Sequence, residues 1–335
     1  MNFIFSHSND YTSKLVLEWV DYLGDEFVRI NDERIDILDI CINNQNFKYS
    51  FKLGNRKYEN DASNAIWFRG GKVRISNNIY DASLFGRDLT THKESAILFL
   101  SNYSHSKLEF LADEFSSSLG SNAIGRYNKL IALRNARKVG LQIPNTIATT
   151  SKKVLQAFFN QNLRIITKSL DLSFSTAKEI DENGNSISFM QYTKEFLQQD
   201  IEELPERFAL TLFQALVPKS LEVRTFYLSG KCYSAAIFSQ QNAKTEIDHR
   251  HYDYSKMNRI IPIQLPIALE QQIRSLMKLC KLNMGSFDFI RNVNGEFVFL
   301  EVNPIGQFGY ISQVCNYKLH KKIAECIIQK SYKYK

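Results

Sequence analysis

Between Met284 and Pro304 the chain reads MGSFDFIRNVNGEFVFLEVNP, and no other segment restricts its fold as much. Phe287, Phe289 and Val293 on one side, and Phe297, Phe299 and Val302 on the other, are strand formers. They flank Asn294-Gly295, a strong two-residue turn signal, so the segment predicts a β-hairpin. Asp288, Glu301 and Asn303 are set into these apolar strands. Folding at Asn294-Gly295 brings Asp288 roughly opposite the Glu301 to Asn303 end, so three oxygen-bearing side chains converge at one open end of a sheet. Mg²⁺ takes oxygen ligands, usually one or two carboxylates plus nucleotide phosphates. The plain alternative is a surface hairpin with polar residues facing water. Against it, a carboxylate inside Phe-Leu-Glu-Val-Asn-Pro is costly unless it has a partner.

A chain of 335 residues allows two or three subdomains sharing a core and a cleft. At 44% hydrophobic and 13% aromatic it can bury a large core. Cys41, Cys232, Cys280, Cys315 and Cys326 are scattered, with no Cys-x-x-Cys pair. That argues against structural zinc and a disulfide framework, and suits a reducing cytoplasm. The opening MNFIFSHSND lacks the basic start and long apolar core of a signal peptide. No stretch approaches the ~18 consecutive apolar residues of a membrane span, so no membrane partner is expected. The net charge of +7 could attract nucleotide phosphates or an acidic peptide. It equally fits a sequence rich in Lys, Asn and Ile throughout. No dense basic run with interleaved aromatics points to nucleic acid.

The first 120 residues alternate strand and helix. Strands are expected at 3–5, 27–30, 35–42, 47–53 and 65–69, a helix capped by Thr12 or Ser13 with Leu15, Val16, Trp19, Val20 and Leu23 at helical spacing, and a long helix over 91–119. Beyond Tyr127, a helix over 128–139 ends at Gly140 and Pro144. Then come a strand at 146–149, a helix at 151–160 and a strand at 163–167. Antiparallel-looking strands follow at 187–193, 210–216, 221–228 and 232–238, with Ser229-Gly230 as a hairpin turn. A helix over 266–282 precedes the hairpin, and a last helix starts near Asn316. Boundaries fall near 120 and near 200.

Three further groups carry chemistry. Lys168 ends the apolar strand Arg164-Ile165-Ile166-Thr167, where a lysine tends to point into a cleft, although a surface lysine is the default. Glu222 and Arg224 share one face of a strand, which alone could be a solvent-facing ion pair of little worth. In Thr245-Glu246-Ile247-Asp248-His249-Arg250-His251 the two histidines share a face, but no Cys or third ligand is near, so a metal site there is disfavoured. No Walker loop or Rossmann fingerprint occurs, and Asn78 reads only as loop.

Asp288 on one strand and Glu301-x-Asn303-Pro304 on the next resemble the magnesium motif of ATP-grasp ligases. The continuation Gly306-Gln307 resembles the branch of that superfamily that modifies ribosomally made peptides: the graspetide ligases, relatives of the microviridin ligases, and among them the grasp-with-spasm peptide maturases. The resemblance spans nearly the whole chain and is more specific in its C-terminal half. It implies an α/β (α+β) ATP-grasp fold with an N-terminal α/β pre-ATP-grasp domain over 1–120, a central subdomain over 121–200 and a C-terminal antiparallel-sheet catalytic subdomain over 201–335.

The same resemblance assigns roles. Asp288, Glu301 and Asn303 would hold Mg²⁺. Phe213 to Val217 resembles the hinge whose backbone meets adenine, which places Gln214, Ala215, Leu216 and Val217 at the nucleotide. Lys129, in Asn128-Lys129-x-x-x-Leu133, and Lys168 match lysines that approach ATP. Lys219 and Glu222 would meet ATP or the acceptor, and Arg224 would reach the phosphates, where its forked donors suit two oxygens. Asp248-x-Arg250 is similar to an Asp-aromatic-Arg motif whose arginine contacts the γ-phosphate, with His249 replacing the aromatic. Trp67-Phe68-Arg69 resembles a Trp-aromatic-Arg motif of the N-terminal domain and is read here as structural. One departure is the segment Ser169 to Thr176, which has no glycine where many relatives carry a glycine-rich flap.

The implied activity is an ADP-forming ligase using ATP and Mg²⁺. It would join Asp or Glu side chains of a precursor peptide, leader plus core, to Thr/Ser hydroxyls or Lys amines as macrocyclic esters or amides. A cytoplasmic enzyme is implied, with a homodimer left open. The alternatives are an amino-acid or small-molecule ligase of the same fold, a non-catalytic peptide-binding module, and a kinase sharing the ATP site.

Overall fold

The computed structural model describes residues 1–44, 47–61, 65–70, 74–75, 119–121, 128–170, 178–180, 186–188, 193–241 and 258–332. Asn78, the expected 91–119 helix apart from Leu119, Asp171 to Thr176, and the Asp248-His249-Arg250-His251 run lie outside the described residues. The chain divides into two compact units, Met1–Ile124 with Lys318–Lys335, and Gly125–Tyr317.

In the first unit, Asn2–Phe5 is the middle strand of a parallel sheet, between Phe27–Ile30 and Ile66–Phe68. All four of its residues are buried, as a central parallel strand requires. Leu119 adds a parallel bridge to Trp67. The helix Tyr11–Tyr22 is capped by Asp10, whose side chain accepts from the Thr12 and Ser13 N–H groups. The residues expected as caps are therefore the donors. A second sheet runs Arg56–Asp61, Phe47–Leu53, Arg34–Ile42, Arg74–Ile75. Arg69 is buried beside Asp10 at 3.3 Å, and burial lowers its pKa while the Asp10 charge works against that shift. The last helix, Leu319–Tyr332, packs on Tyr11–Tyr22 and buries Leu319, Ile323, Ala324 and Ile327.

The second unit contains two larger sheets. One has the antiparallel order Lys194–Phe196, Ile165–Lys168, Arg207–Ala215, Thr146–Ser151. Its core is Leu155, Phe158, Ile165, Ile201 and Phe213. The other has the antiparallel order Arg259–Ile263, Lys231–Phe238, Lys219–Leu228, Met284–Asn292, Phe297–Asn303. The sequence suggested one antiparallel set for 210–216 and 221–228. The structure puts them in different sheets, broken at Leu216-Val217-Pro218, where proline lacks the N–H a ladder needs.

Alternation gives the five-stranded sheet two unlike faces. Val223, Tyr227, Phe287, Phe289, Phe299 and Val302 form a core with residues of the helices Lys129–Lys138 and Ile267–Leu279. Phe287, Phe289 and Phe299 sit ring to ring at 5.7–6.1 Å, so truncating one to alanine should cost about 3–5 kcal/mol. The opposite face carries the polar residues described next. No helix among the described residues is long and apolar enough to cross a membrane.

Candidate active site

The hairpin forms, but its turn is not the two-residue type expected. Asn292 pairs with Glu296 through Asn292 N–H to Glu296 O at 2.9 Å, leaving the three-residue loop Val293-Asn294-Gly295. Gly295 takes the left-handed conformation, φ +86, that closes such a loop. The Asn292 side-chain oxygen accepts from the Asn294 and Glu296 N–H groups. In this register Arg291 faces Phe297 and Phe289 faces Phe299. Carried further, it would set Asp288 against Leu300 and turn Glu301 toward the core. A β-bulge intervenes. The register shifts between Asp288 and Phe289, leaving Leu300 as the extra residue, and Asp288 then faces Glu301. Ser286 faces Asn303 two pairs further on, on the same face.

Glu222, Arg224, Ser286, Asp288, Glu301 and Asn303 thus share one face. Arg224 pairs across strands with Asp288 and donates from Nη1 to both carboxylate oxygens, at 2.7 and 2.6 Å. Burial works to lower the Arg224 pKa, but the charges of Asp288, Tyr310 and Glu301 and the hydrogen bond to Asp288 outweigh it and raise the value. Lys129, buried at the start of its helix, approaches Glu301 at 3.4 Å. Lys219 Nζ lies 2.5 Å from Glu222 Oε1, and the Ser239 hydroxyl donates to that same oxygen at 2.8 Å. The Asn303 side-chain oxygen accepts from Ile305 N–H at 3.0 Å and shapes the turn that follows. Gly306 lies so close to Ser286 that a Cβ there would collide with the serine side chain.

This face opens on a cleft inside the second unit. Lys168, Gln214, Ala215, Leu216, Val217, Glu222, Asp288 and Glu301 line it, with Ile166, Ile290 and Leu300 as apolar wall. The strand-end lysine, the hinge and the two acidic residues therefore converge. Arg224, Lys129 and Lys219 stand behind the lining and hold Asp288, Glu301 and Glu222 respectively. Asn303 shares the face without lining the cleft. Asp248 and Arg250 lie outside the described residues. Ser239 and Thr146, which orients Gln214, carried no motif signal in the sequence.

Among the described residues no group of three or more His, Cys, Asp or Glu forms a metal cage. The donors here are two carboxylates and an amide oxygen, an all-oxygen set. That suits Mg²⁺, which binds one or two carboxylates and completes its shell with water and phosphate.

Solved structures resemble this chain over nearly its whole length. An RiPP-associated ATP-grasp ligase from Chryseobacterium gregarium, in complex with ADP and a leader and core peptide, is 22% identical with a TM-score of 0.73, covering 98% of this chain and 97% of its own. The macrocyclase MdnC from Microcystis aeruginosa, bound with the precursor peptide MdnA, is 24% identical with a TM-score of 0.71, covering 98% and 99%. The macrocyclase MdnB from the same organism is 26% identical with a TM-score of 0.65, covering 97% and 98%. No protein-family model matches the sequence, and no curated protein is found similar to it. The chain has the ATP-grasp fold.

Proposed function

We propose that the protein is an ATP-dependent carboxylate ligase that matures a ribosomally made precursor peptide. It activates Asp or Glu side chains as acylphosphates and closes macrocyclic esters or amides with Thr/Ser hydroxyls or Lys amines. The observation that carries this reading is the meeting of Asp288 and Glu301, each held by a buried cation, at a cleft also lined by Lys168 and the 214–217 hinge. The fold adds support, since the Chryseobacterium ligase was solved with ADP and peptide and MdnC with its precursor.

In the first step a peptide carboxylate oxygen attacks the γ-phosphorus, the bond to ADP breaks, and an acylphosphate forms. A hydroxyl or amine then attacks the acyl carbon, and inorganic phosphate leaves. Lys129, Lys168, Arg224 and Arg250 neutralise and orient the phosphates, which is mainly positioning and electrostatic work. Lys219 and Glu222 meet ATP or the acceptor, Asp248 belongs to the same motif as Arg250, and Ala215, Leu216 and Val217 supply backbone to the adenine. Asp288, Glu301 and Asn303 would hold Mg²⁺, which offsets charge on the β- and γ-phosphates. None of the five cysteines is joined in a disulfide, as suits the cytoplasm, where we place the enzyme. Light scattering tests whether it works as a homodimer.

Mass spectrometry of a co-expressed precursor decides the reading. Each ring removes one water, about 18 Da, and consumes one ATP. Dehydrations that vanish in Glu301→Gln support it. Added phosphate would make the protein a kinase, and an unchanged precursor would leave a small-molecule ligase or a binding module.

A further inference from the structure

The strand Met284–Asn292 lies between two bulged neighbours. One bulge, at Leu300, aims Glu301. The other is in Lys219–Leu228. Lys219 faces Asn292 and Leu221 faces Arg291, so Ser220 is the extra residue. Past it the pairing is regular. Glu222 faces Ile290 and Arg224 faces Asp288 on the cleft side, while Leu221 and Val223 pack on the core. Without the extra residue, simple alternation would put Lys219 on the core side with Leu221 and Val223. The bulge instead sets it against Asn292, in line with Ile290 and Asp288. There its ammonium meets Glu222 Oε1, and the two side chains are only 6% and 9% exposed. In so dry a place a carboxylate without a counter-charge is costly.

The residue that makes the bulge also fastens it. Ser220 Oγ lies 2.9 Å from the Arg291 carbonyl oxygen and 3.2 Å from that of Asn292. These are the two residues across which the register slips. Serine has one hydroxyl proton, which the two carbonyls share. Pro218, just before Lys219, has no N–H to add to the ladder at this end. Ser220 itself is exposed and does not line the cleft.

We infer that Ser220 is a positioning residue: its hydroxyl holds the bulge that turns Lys219 to the cleft side, where Lys219 supplies the counter-charge of Glu222. Its bearing on turnover rests on the ligase reading, in which Glu222 meets ATP or the acceptor.

The test uses the full chain and two readouts, with melting curves to show that each variant is folded. The first needs no turnover: lysines are labelled with acetic anhydride and read by peptide mass spectrometry. In wild type Lys219 should react about tenfold or more slowly than exposed Lys231. Ser220→Ala should speed Lys219 about threefold or more, and Ser220→Thr, which keeps the hydroxyl, should restore protection. Deleting Ser220 should bring Lys219 to the rate of Lys231, because a lysine on the core side has no carboxylate and must reach for water. The second readout is steady-state kinetics. Ser220→Ala should raise KM for ATP or for the precursor about threefold, with kcat within about twofold. The same change made in Glu222→Gln should add nothing, because Ser220 acts only through the Lys219–Glu222 pair. Fast labelling of Lys219 in wild type, or equal protection in Ser220→Ala and wild type, overturns the inference and leaves the ligase reading standing. Additive effects of the Ser220 and Glu222 substitutions also overturn it. Labelling as expected, with no ATP consumed in the presence of precursor, supports the placement of Lys219 and overturns the ligase reading.

Discussion

Arg224 holds Asp288 by both carboxylate oxygens, with one guanidinium nitrogen at 2.7 and 2.6 Å from them. The residue proposed to bind metal is thus already neutralised by a buried cation on the adjacent strand. Arg224→Lys keeps the charge but loses the planar guanidinium, whose second nitrogen, Nη2, reaches the Gln307 carbonyl at 3.4 Å. We expect ADP formation to fall at least about tenfold with the melting temperature little changed. Asp288→Asn leaves the guanidinium buried without its counter-charge, which costs about 3 kcal/mol. It should therefore melt earlier than wild type as well as lose turnover, and the two readouts separate the residues' roles.

Glu301 gives the cleaner test of the metal assignment, because Lys129 approaches it at the longer distance of 3.4 Å. Glu301→Gln should abolish ADP formation across a Mg²⁺ titration while circular dichroism stays native. Turnover near wild type at saturating Mg²⁺ would remove Glu301 from the metal site.

The bulge at Leu300 predicts an unusual asymmetry between deletion and truncation. Deleting Leu300 extends the loop-proximal register and turns residues on one side of it to the other face. Leu300→Ala keeps the register and loses only part of the apolar cleft wall. The deletion should destroy turnover and lower stability well beyond the alanine variant. Equal melting temperatures and turnover in both would mean that the bulge does not aim Glu301.

Alkaline pH should weaken the fold through Cys232 and Tyr317. Burial pushes the Cys232 thiol up from 9.0 to about 12, and the Tyr317 hydroxyl up from 10.0 to about 12. The unfolded chain releases these protons near their ordinary values, and the folded chain holds them longer. Their contribution is therefore complete below about pH 9 and is lost as pH rises toward 12. Melting temperature should fall between pH 9 and 11, less so in Cys232→Ala. At pH 8 iodoacetamide should label exposed Cys41 and spare Cys232.

Leader binding should separate from chemistry. With a net charge of +7, an acidic leader segment should bind without ATP and weaken as salt is raised. A leaderless core turned over equally well would count against a distinct leader site.

The acidic face was readable because two-residue pairing from Asn294-Gly295 sets Asp288 opposite Glu301, and the structure reaches that same pairing by a three-residue loop offset by the bulge. The bulge was readable in principle. Phe299 and Val302 are both core residues, three apart, which strict alternation forbids, while Phe287 and Phe289 opposite keep the two-residue period. That parity break marks an inserted residue, but Leu300 looks like any other strand leucine. Ser239 and Thr146 were not readable, because each matters through one contact to a distant strand and neither belongs to a local pattern. A last helix was expected from near Asn316, and it starts at Leu319. The sequence does not say which core receives it.

That last helix changes how the protein must be made. Its apolar face covers the helix Tyr11–Tyr22, and Lys321 sits 5.5 Å from the Trp19 ring centre. On the ribosome, Val16, Leu17 and Val20 emerge early and wait for a partner translated after the whole Gly125–Tyr317 unit. That unit, contiguous in the chain, can fold while the N-terminal one is still incomplete. A stop codon or frameshift near residue 318 would therefore leave its damage at the opposite end of the sequence, as an N-terminal unit prone to aggregate.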